Sequence, residues 1–342
     1  MSEIITVGLD LAKNVFQVHG ANGAGQAVLR KKLRRAQVLE FFSKLPSCVV
    51  AMEACGGAHF WGREIGKLGH DIRLIPPAYV KPFVKRQKND MADAEAICEA
   101  AVRPTMRFVP VKSEETQGAA MVFRVRELLI RQRTQAINAL RGHLTEFGHI
   151  VPQGAANASK LIALVEAPES DLPADAVPTL EVLVSAMVHL EAEIAKLDAK
   201  IAARAKENDV ARRLMTVPGI GPLIATAIAT LAPPPETFRK ARDFAAWLGL
   251  VPRQHSTGGK QRLGATTKMG ERSLRRLLII GANSVIIKRH VHAAAKPGTW
   301  LGGILTRKPP MLVRVALANK MARIVWALMA GGGVYKAPAM AA

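Results

Sequence analysis

Short runs of β-branched and other apolar residues predict four strands in the first quarter of the chain. They are Ile4 to Leu9, Val15 to His19, Cys48 to Met52 and Ile72 to Ile75. Between and after these runs, apolar residues recur at three- and four-residue steps among good helix formers. This spacing predicts helices at Arg35 to Lys44, Ala58 to Leu68 and Met91 to Val102. Strands first, then alternating helix and strand, predict an α/β domain over residues 1–112.

The pattern over the rest of the chain is mostly helical. Ser113 to Phe147 is helical and basic, whereas Val151 to Pro178 is polar and Pro- and Ala-containing, which indicates in part a connection. Apolar residues then recur at alternating steps of three and four: Leu180, Leu183, Met187, Leu190, Ile194, Leu197 and Ile201. This heptad seam favours an antiparallel or intermolecular coiled coil over an amphipathic helix packed on its own domain. We expect a helical, coiled-coil middle segment over 113–207, a mainly α domain over 208–330 and a flexible tail over 331–342.

The net charge indicates a polyanionic partner. The 342 residues include 48 Lys and Arg against 27 Asp and Glu, a formal charge of +21. From Ala205 to the end there are 22 basic and 5 acidic residues, so +17 of that charge lies in the last part of the chain. Apolar residues make up 49%, which argues against a disordered chain. A basic, globular protein of this kind is expected to bind nucleic acid.

Several protein classes are excluded by what the sequence does not contain. No apolar run reaches the ~18 uncharged residues of a membrane span, and no secretory signal is visible at the N-terminus. Cys48, Cys55 and Cys98 are too few and too irregularly spaced for a disulfide framework or a zinc ribbon. We therefore expect a cytoplasmic protein with no membrane partner.

Four carboxylates in the predicted α/β domain suit a metal site. Asp10 and Glu53 each follow an apolar strand, and Asp90 and Asp93 share a face at the start of a helix. Convergence of these groups would give a hard-oxygen site for Mg²⁺, with one or two ions acting on a phosphodiester. Taken singly, each has a simpler interpretation: a helix cap or dipole partner for Asp90 or Asp93, a turn for Asp10 and an exposed strand end for Glu53.

A basic segment near the C-terminus carries two candidate nucleophiles. Gln254 to Gly264 has little apolar content, which predicts a mobile loop. The hydroxyls are those of Ser256 and Thr257, and the basic neighbours are Arg253, Lys260 and Arg262. A serine beside guanidinium groups is placed to attack a phosphate, since the cations stabilise the charge that develops. The alternative is a loop that only positions the DNA backbone.

Two further features each allow two interpretations. The stretch Thr216 to Ala229 has glycines at 219 and 221 before an apolar helix, and it is either a phosphate-binding turn or a tight turn that packs two helices. A basic run near the N-terminus either contacts RNA or DNA or is a solvated cluster. Its members are Arg30, Lys31, Lys32, Arg34 and Arg35.

The acidic motifs resemble those of a known enzyme family. GLDLAK with Asp10, MEACGG with Glu53 and KNDMADAEA with Asp90 and Asp93 are similar to the DEDD catalytic motifs of a bacterial insertion-sequence transposase family, related to pilin-gene invertases. Lys88 stands where that family usually has a basic residue before its Asp pair. The resemblance implies an RNase H-like (RuvC-like) N-terminal domain similar to Holliday-junction resolvases.

The C-terminal segment resembles the second domain of the same family. That domain carries PR, a serine, SG or SGG, a GK, a K-G pair and LRR. The matching residues here are Pro252, Arg253, Ser256, Thr257, Gly258, Gly259, Lys260, Lys268, Gly270 and Leu274-Arg275-Arg276. When the motif is aligned without gaps from Pro252, Thr257 falls where other branches of the family have the serine that precedes glycine. Because a primary alcohol attacks phosphorus with less crowding, Ser256 is favoured as the nucleophile, with Thr257 as the alternative.

The resemblance implies an activity, partners and binding residues. It implies a DNA recombinase guided by a structured noncoding RNA that pairs with target and donor DNA, acting with Mg²⁺ through a transient phosphoserine, as a homodimer or tetramer. Residues expected to bind nucleic acid are Lys88, Arg253, Lys260, Arg262, Lys268, Arg272, Arg275 and Arg276. Two alternatives stay open: a Mg²⁺-dependent junction endonuclease without a covalent intermediate, and a non-catalytic architectural protein.

Overall fold

The computed structural model of the protein describes residues 3–85, 89–168, 171–288 and 298–337. The chain divides into two compact units, Met1–Gln117 and Gly118–Ala342. Each unit is built around its own buried apolar residues. The four-part division expected from the sequence remains a prediction.

A five-stranded mixed sheet forms the centre of the N-terminal unit. Its strands are β1 (Thr6–Asp10), β2 (Val15–Ala21), β3 (Ala27–Arg34), β4 (Val49–Glu53) and β5 (Asp71–Ile75). The strands lie in the order β3-β2-β1-β4-β5. Strand β2 is antiparallel to both of its neighbours, whereas β1, β4 and β5 are parallel to one another. The α/β class and the four predicted strands are confirmed.

Strand β3 is absent from the sequence prediction because it is dominated by charge. It lies at the edge of the sheet and pairs only with β2. Only Leu33 is buried, and Leu29 is partly buried, both toward the core that contains Phe16. An edge strand buries few side chains, and here only two of eight residues face the core. The alternation of apolar and polar residues that predicts a strand is therefore weak.

Helices cover both faces of this sheet. They are α1 (Val38–Ser43), α2 (Ala58–Gly66), α3 (Pro77–Val80) and α4 (Asp90–Ala101). On one face, Phe42 of α1 and Trp61 of α2 pack with Phe16. On the other face, Ile97 of α4 packs with Ala51 of β4. The helix predicted to begin at Arg35 starts as a 3₁₀ turn and becomes α-helical at α1.

The C-terminal unit is mainly helical and contains one small β-hairpin. Its elements are α5 (Glu114–Glu146, which begins in the N-terminal unit), α6 (Ala158–Glu166), α7 (Ala176–Glu207), α8 (Asp209–Leu214), α9 (Pro222–Leu231), α10 (Ala241–Trp247), β6 (Pro252–Gln254), β7 (Leu263–Thr266), α11 (Arg272–Ile287), α12 (Trp300–Arg307) and α13 (Pro310–Gly331). Helices α8 to α11 and α13 share one large apolar core. None of the helices in the described part of the chain is both long and apolar enough to span a bilayer.

The segment expected in part as a connection, Val151 to Pro178, contains helix α6 and the first turn of α7. Leu161 and Val165 of α6 are buried against α5 and α7. Helix α6 is only nine residues long, which is too short for a period to stand out in the sequence.

Helices α5 and α7 run antiparallel and are joined by ion pairs. Arg126 of α5 pairs with Asp198 of α7. About two turns later in α5, Arg133 pairs with Glu191, which lies about two turns earlier in α7. Along the predicted heptad seam, every other apolar residue is buried and those between are half-buried. The first turns of the seam pack against α5 and α6. A coiled coil, within or between chains, remains a prediction.

Candidate active site

Three carboxylates of the N-terminal unit lie together in the structure. Asp10, Asp90 and Asp93 each offer one oxygen, and these oxygens lie within 4.8 Å of one another. Asp10 is the last residue of β1, and the two others lie in the first turn of α4. Among the described residues, this is the one group of acidic, His or Cys side chains with a geometry that can hold a metal ion.

A glycine allows the helix to approach the strand so closely. A Cβ atom on Gly8 would lie 2.1 Å from the carbonyl oxygen of Ala94 and 2.7 Å from the amide nitrogen of Cys98, both in α4. The backbone of α4 therefore lies directly on β1, which brings the helix start to the strand end. Gly8 is not among the residues predicted from the sequence, although a glycine two residues before a strand-end carboxylate can indicate such a close approach.

The start of α4 is fixed by Asn89. Its side-chain oxygen accepts a hydrogen bond from the amide of Ala92 at 2.8 Å, which is the typical contact of a helix N-cap. Neither Asp90 nor Asp93 is therefore needed as the cap, and both carboxylates face the end of β1. The simpler interpretation of these two residues as helix caps is thus not what the structure shows.

Glu53 approaches the same end of the sheet from the neighbouring strand. Leu9 pairs with Met52 in the parallel ladder, so Asp10 and Glu53 occupy the next position on their strands. The negative charge of Glu53 contributes to raising the pKa of Asp10. Its carboxylate is not part of the group within 4.8 Å. The structure thus gathers three of the four predicted carboxylates tightly, with the fourth beside them.

The environment of Asp10 favours binding of a cation. Burial, followed by the charges of Asp93, Asp90 and Glu53, raises the pKa of Asp10 to about 6. Burial, followed by the charges of Glu53 and Asp10, also raises the pKa of the Cys55 thiol. A cluster of carboxylate oxygens that repel one another is relieved by a divalent cation, and all-oxygen sites suit hard cations. The residues present therefore fit a divalent metal ion.

The predicted loop with the two candidate nucleophiles is the end of a β-hairpin. Strands β6 and β7 pair antiparallel, and Thr257 and Lys260 form a further bridge beyond them. Between these two residues, Gly258 and Gly259 have φ values of 54° and 76°. Positive φ at both central positions is the requirement of a tight two-residue hairpin turn. The hairpin is not predicted from the sequence because its strands contain few apolar residues.

Both hydroxyls lie on the exposed part of this hairpin. The Ser256 hydroxyl accepts a hydrogen bond from the amide of Arg262 at 3.3 Å, across the hairpin. Ser256 and Thr257 are both solvent-exposed, as are Arg253 and Lys260. Both hydroxyls are thus accessible to a phosphate group.

The other predicted nucleic-acid-binding residues differ in their surroundings. Lys268 is exposed and has a φ of 55°, and Arg272 is exposed at the start of α11. Arg275 donates to the carbonyl oxygens of Leu248 and Met269, both at 2.9 Å. Arg276 lies 3.5 Å from Glu127. Lys88 lies outside the described residues.

The glycine turn between α8 and α9 packs against another helix. Gly219 has a φ of 84°, and a Cβ atom there would lie 2.5 Å from the carbonyl oxygen of Gly281 in α11. Nothing lies within 4 Å of the corresponding position at Gly221. Of the two interpretations of this turn, helix packing accounts for the first glycine.

Comparison with known proteins identifies similar sequences over both units. The family described as "Transposase IS116/IS110/IS902 family" matches residues 211–296, and a transposase family of the DEDD type found in IS110 elements matches residues 7–149. A "Probable family 20 transposase" of Pseudomonas aeruginosa is 51% identical, covering 96% of this chain and 98% of that protein. The "Transposase for insertion sequence element IS1328" of Yersinia enterocolitica is 41% identical, covering 98% and 99%. The "Transposase for insertion sequence element IS1111A" of Coxiella burnetii is 37% identical, covering 98% and 92%.

Proposed function

The chain belongs to the IS116/IS110/IS902 family of transposases, and we propose that it cuts and rejoins DNA strands at the carboxylates of Asp10, Asp90 and Asp93. Membership in this family makes it a DNA-processing enzyme of an insertion sequence, with DNA as its partner. The observation that carries the proposal is the approach of three carboxylate oxygens to within 4.8 Å at the end of a buried strand.

Mg²⁺ is the proposed cofactor, held by Asp10, Asp90 and Asp93 with Glu53 beside them. A divalent cation bound there would stabilise the negative charge that develops on a phosphate during transfer. The mixed sheet, with carboxylates at the ends of two parallel strands and at the start of a helix across them, supports an RNase H-like assignment for this unit.

The Ser256 hydroxyl is the proposed nucleophile, with Thr257 as the alternative. Attack forms a bond between the serine Oγ and phosphorus and breaks one phosphorus–oxygen bond of the DNA strand. The proton of the hydroxyl is balanced by the one gained at the leaving DNA oxygen. The hydroxyl of the partner strand then reverses these changes, so the phosphodiester is retained without hydrolysis. The exposed position of both hydroxyls among cations supports this role.

A structured noncoding guide RNA and a dimeric or tetrameric assembly complete the proposal. Aromatic residues make up only 5% of the chain, whereas its net charge is +21. Such a surface suits recognition of phosphate backbones better than stacking on bases, so base pairing with an RNA would supply the choice of sequence. The apolar seam of α7 supports assembly through the helical segment.

The test uses the full-length protein expressed in cells with a plasmid that carries the complete insertion element. Excised or rearranged junctions are detected by PCR and sequencing, and DNA bound to denatured protein is captured as a measure of covalent adduct. RNA bound to the purified protein is sequenced in the same cells. We expect junctions, a covalent adduct and a discrete RNA from the flanking noncoding region of the element.

Matched variants separate the proposal from its alternatives. Ser256→Ala should abolish both the adduct and the junctions, while Thr257→Ala should retain them, and the reverse result would exchange the two roles. If both variants still cut and no adduct forms, the protein is a junction endonuclease. If Asp90→Asn and Asp93→Asn leave rearrangement intact, the acidic residues are structural and the proposed site is wrong.

A further inference from the structure

The basic run near the N-terminus is divided between the two faces of the sheet. Side chains alternate along β3 and into the turn that follows it, so Lys31 and Arg35 share one face. Both of these cations stack on aromatic rings: Lys31 lies 5.3 Å from the ring centre of Phe41, and Arg35 lies 5.0 Å from that of Trp61. They are therefore part of the packing on the α1 and α2 side.

The other three cations face the side of the sheet that carries α4. They are Arg30, Lys32 and Arg34. Arg30 confirms this orientation, since its guanidinium lies 3.9 Å from the carboxylate of Glu95 in α4. Lys32 and Arg34 are exposed, and no ion pair of either is found within the part of the chain that the structure describes.

The ladder register places Lys32 on the same cross-strand row as Asp10. Asp10 pairs with Gln17 in β2, and Gln17 pairs with Lys32 in β3. Two strand spacings of about 4.8 Å separate the Cα atoms of Asp10 and Lys32 by about 10 Å. Arg34 lies one pleat further toward the same end of the sheet, opposite Val15. Two exposed cations therefore lie on the same face of the sheet as the carboxylates and toward the same end of its strands.

We propose that Lys32 and Arg34 bind backbone phosphates of the DNA strand whose scissile phosphate lies at the carboxylates of Asp10, Asp90 and Asp93. This inference rests on the proposed function, because it takes that site as the place of strand cleavage. A Cα separation of about 10 Å is short enough for phosphates of one DNA strand to contact both the carboxylates and the cations. The two cations would hold the strand close to the reacting phosphate and balance the repulsion between phosphates and carboxylates.

The geometry favours a nucleic-acid backbone over a protein partner at this place. Strand β3 is the edge of the sheet, and its outward surface on this face carries charge and no large apolar side chain other than Val28. Exposed cations without an apolar centre suit phosphate contacts, which fix position and register without reading sequence. Because the acidic site is proposed to cut DNA, we assign DNA as the ligand of these two cations.

The experiment compares two charge-matched double variants of the full-length protein. Lys32→Gln with Arg34→Gln removes both cations on the carboxylate side, and Lys31→Gln with Arg35→Gln removes two cations on the opposite face. Binding of a fluorescent duplex carrying one end of the insertion element is followed by anisotropy from 50 to 300 mM salt. Ca²⁺ replaces Mg²⁺ to disfavour turnover, because its coordination geometry is looser. Thermal unfolding of each variant verifies that it is folded.

The proposal predicts a change in salt dependence on one face only. The slope of log affinity against log salt should fall by about 1.8 for the carboxylate-side variant, at about 0.9 per lost phosphate contact, and stay unchanged for the opposite-face variant. Equal slopes in both variants, or a loss seen with the RNA of the element and not with the duplex, would overturn it. Asp93→Asn is assayed for rearrangement in parallel. If Asp93→Asn is inactive and the slopes are equal, the DNA contact alone is wrong; if Asp93→Asn is active, the proposed function is wrong.

Discussion

Gly219 and Gly281 contact each other backbone to backbone, and neither position has room for a side chain. A Cβ atom on Gly219 would lie 2.5 Å from the carbonyl oxygen of Gly281, and one on Gly281 would lie 2.3 Å from that of Gly219. Gly219 also has a φ of 84°, in the left-handed region. The turn between α8 and α9 is thereby fixed against α11 in the core of the C-terminal unit.

Gly219→Ala should therefore destabilise the C-terminal unit strongly. Overpacking costs about 1–3 kcal/mol and a left-handed alanine about 1–2 kcal/mol, so we expect a loss of about 2–5 kcal/mol. Gly221→Ala is the control, because its φ is −88° and nothing lies within 4 Å of the added carbon; the expected loss is under about 1 kcal/mol. Chemical denaturation measures both. Equal stability of the two variants would contradict this packing role.

Asp93→Asn should abolish DNA rearrangement while leaving the protein folded. Asp93 contributes an oxygen to the three-carboxylate group, and an amide there removes one charge and one anionic ligand. Glu99→Gln is a matched control on the same helix, since its partner is the exposed Arg103. Junction formation in cells, normalised to protein level, should be lost in the first variant and retained in the second. Equal loss in both would indicate a general effect of charge on α4.

Much of the acidic site could be predicted from the sequence, because its residues stand at positions that local sequence patterns define. Asp10 and Glu53 end apolar strands, and Asp90 and Asp93 begin a helix, so each position follows from short-range patterns. What the sequence did not reveal is how tightly they meet. The close approach of α4 to β1 depends on the absence of a side chain at Gly8. The role of this glycine can be recognised only once the strand and the helix are known to be in contact.

The elements that the sequence does not predict are those with few apolar residues. Strand β3 and the β6–β7 hairpin are held by backbone ladders and by turn glycines, and most of their side chains are exposed. Because these strands have few buried side chains, alternation of apolar and polar residues does not reveal them in the sequence. The division of the basic run into two faces follows from the register of β3, which a charge count cannot provide.

Asp10→Asn should change the pH dependence of stability in the metal-free protein. Burial and the charges of Asp93, Asp90 and Glu53 raise the pKa of Asp10 to about 6, above its ordinary value of 3.8. The folded protein thus binds this proton more tightly than the unfolded chain does. The contribution of Asp10 to stability therefore falls as the pH rises from about 4 to about 6, and stays low above that window.

We expect Asp10→Asn to be more stable than the wild type above pH 6 in EDTA, with the difference shrinking toward pH 4. Addition of Mg²⁺ or Mn²⁺ at pH 7.5 should raise the melting temperature of the wild type and have little effect on the variant, because the ion binds the folded state through the carboxylates. Thermal unfolding between pH 4.5 and 7.5, with and without metal, measures both effects. An equal metal-induced shift in the two proteins would show that Asp10 is not a ligand.

Arg275 and Arg276 are adjacent in the sequence and should have different effects when replaced. The Arg275 guanidinium donates to the carbonyls of Leu248 and Met269, which ties the end of α10 to the segment after the hairpin. Arg275→Ala leaves both carbonyls without this donor and should lower stability by about 1–2 kcal/mol. Arg276 is half-exposed beside Glu127, so Arg276→Ala should cost under about 1 kcal/mol. If Arg276 also binds a DNA phosphate, its variant lowers the salt slope of duplex binding by about 0.9. Denaturation curves and salt titrations of the two variants separate the roles, and a stability loss confined to Arg276→Ala would reverse the assignment.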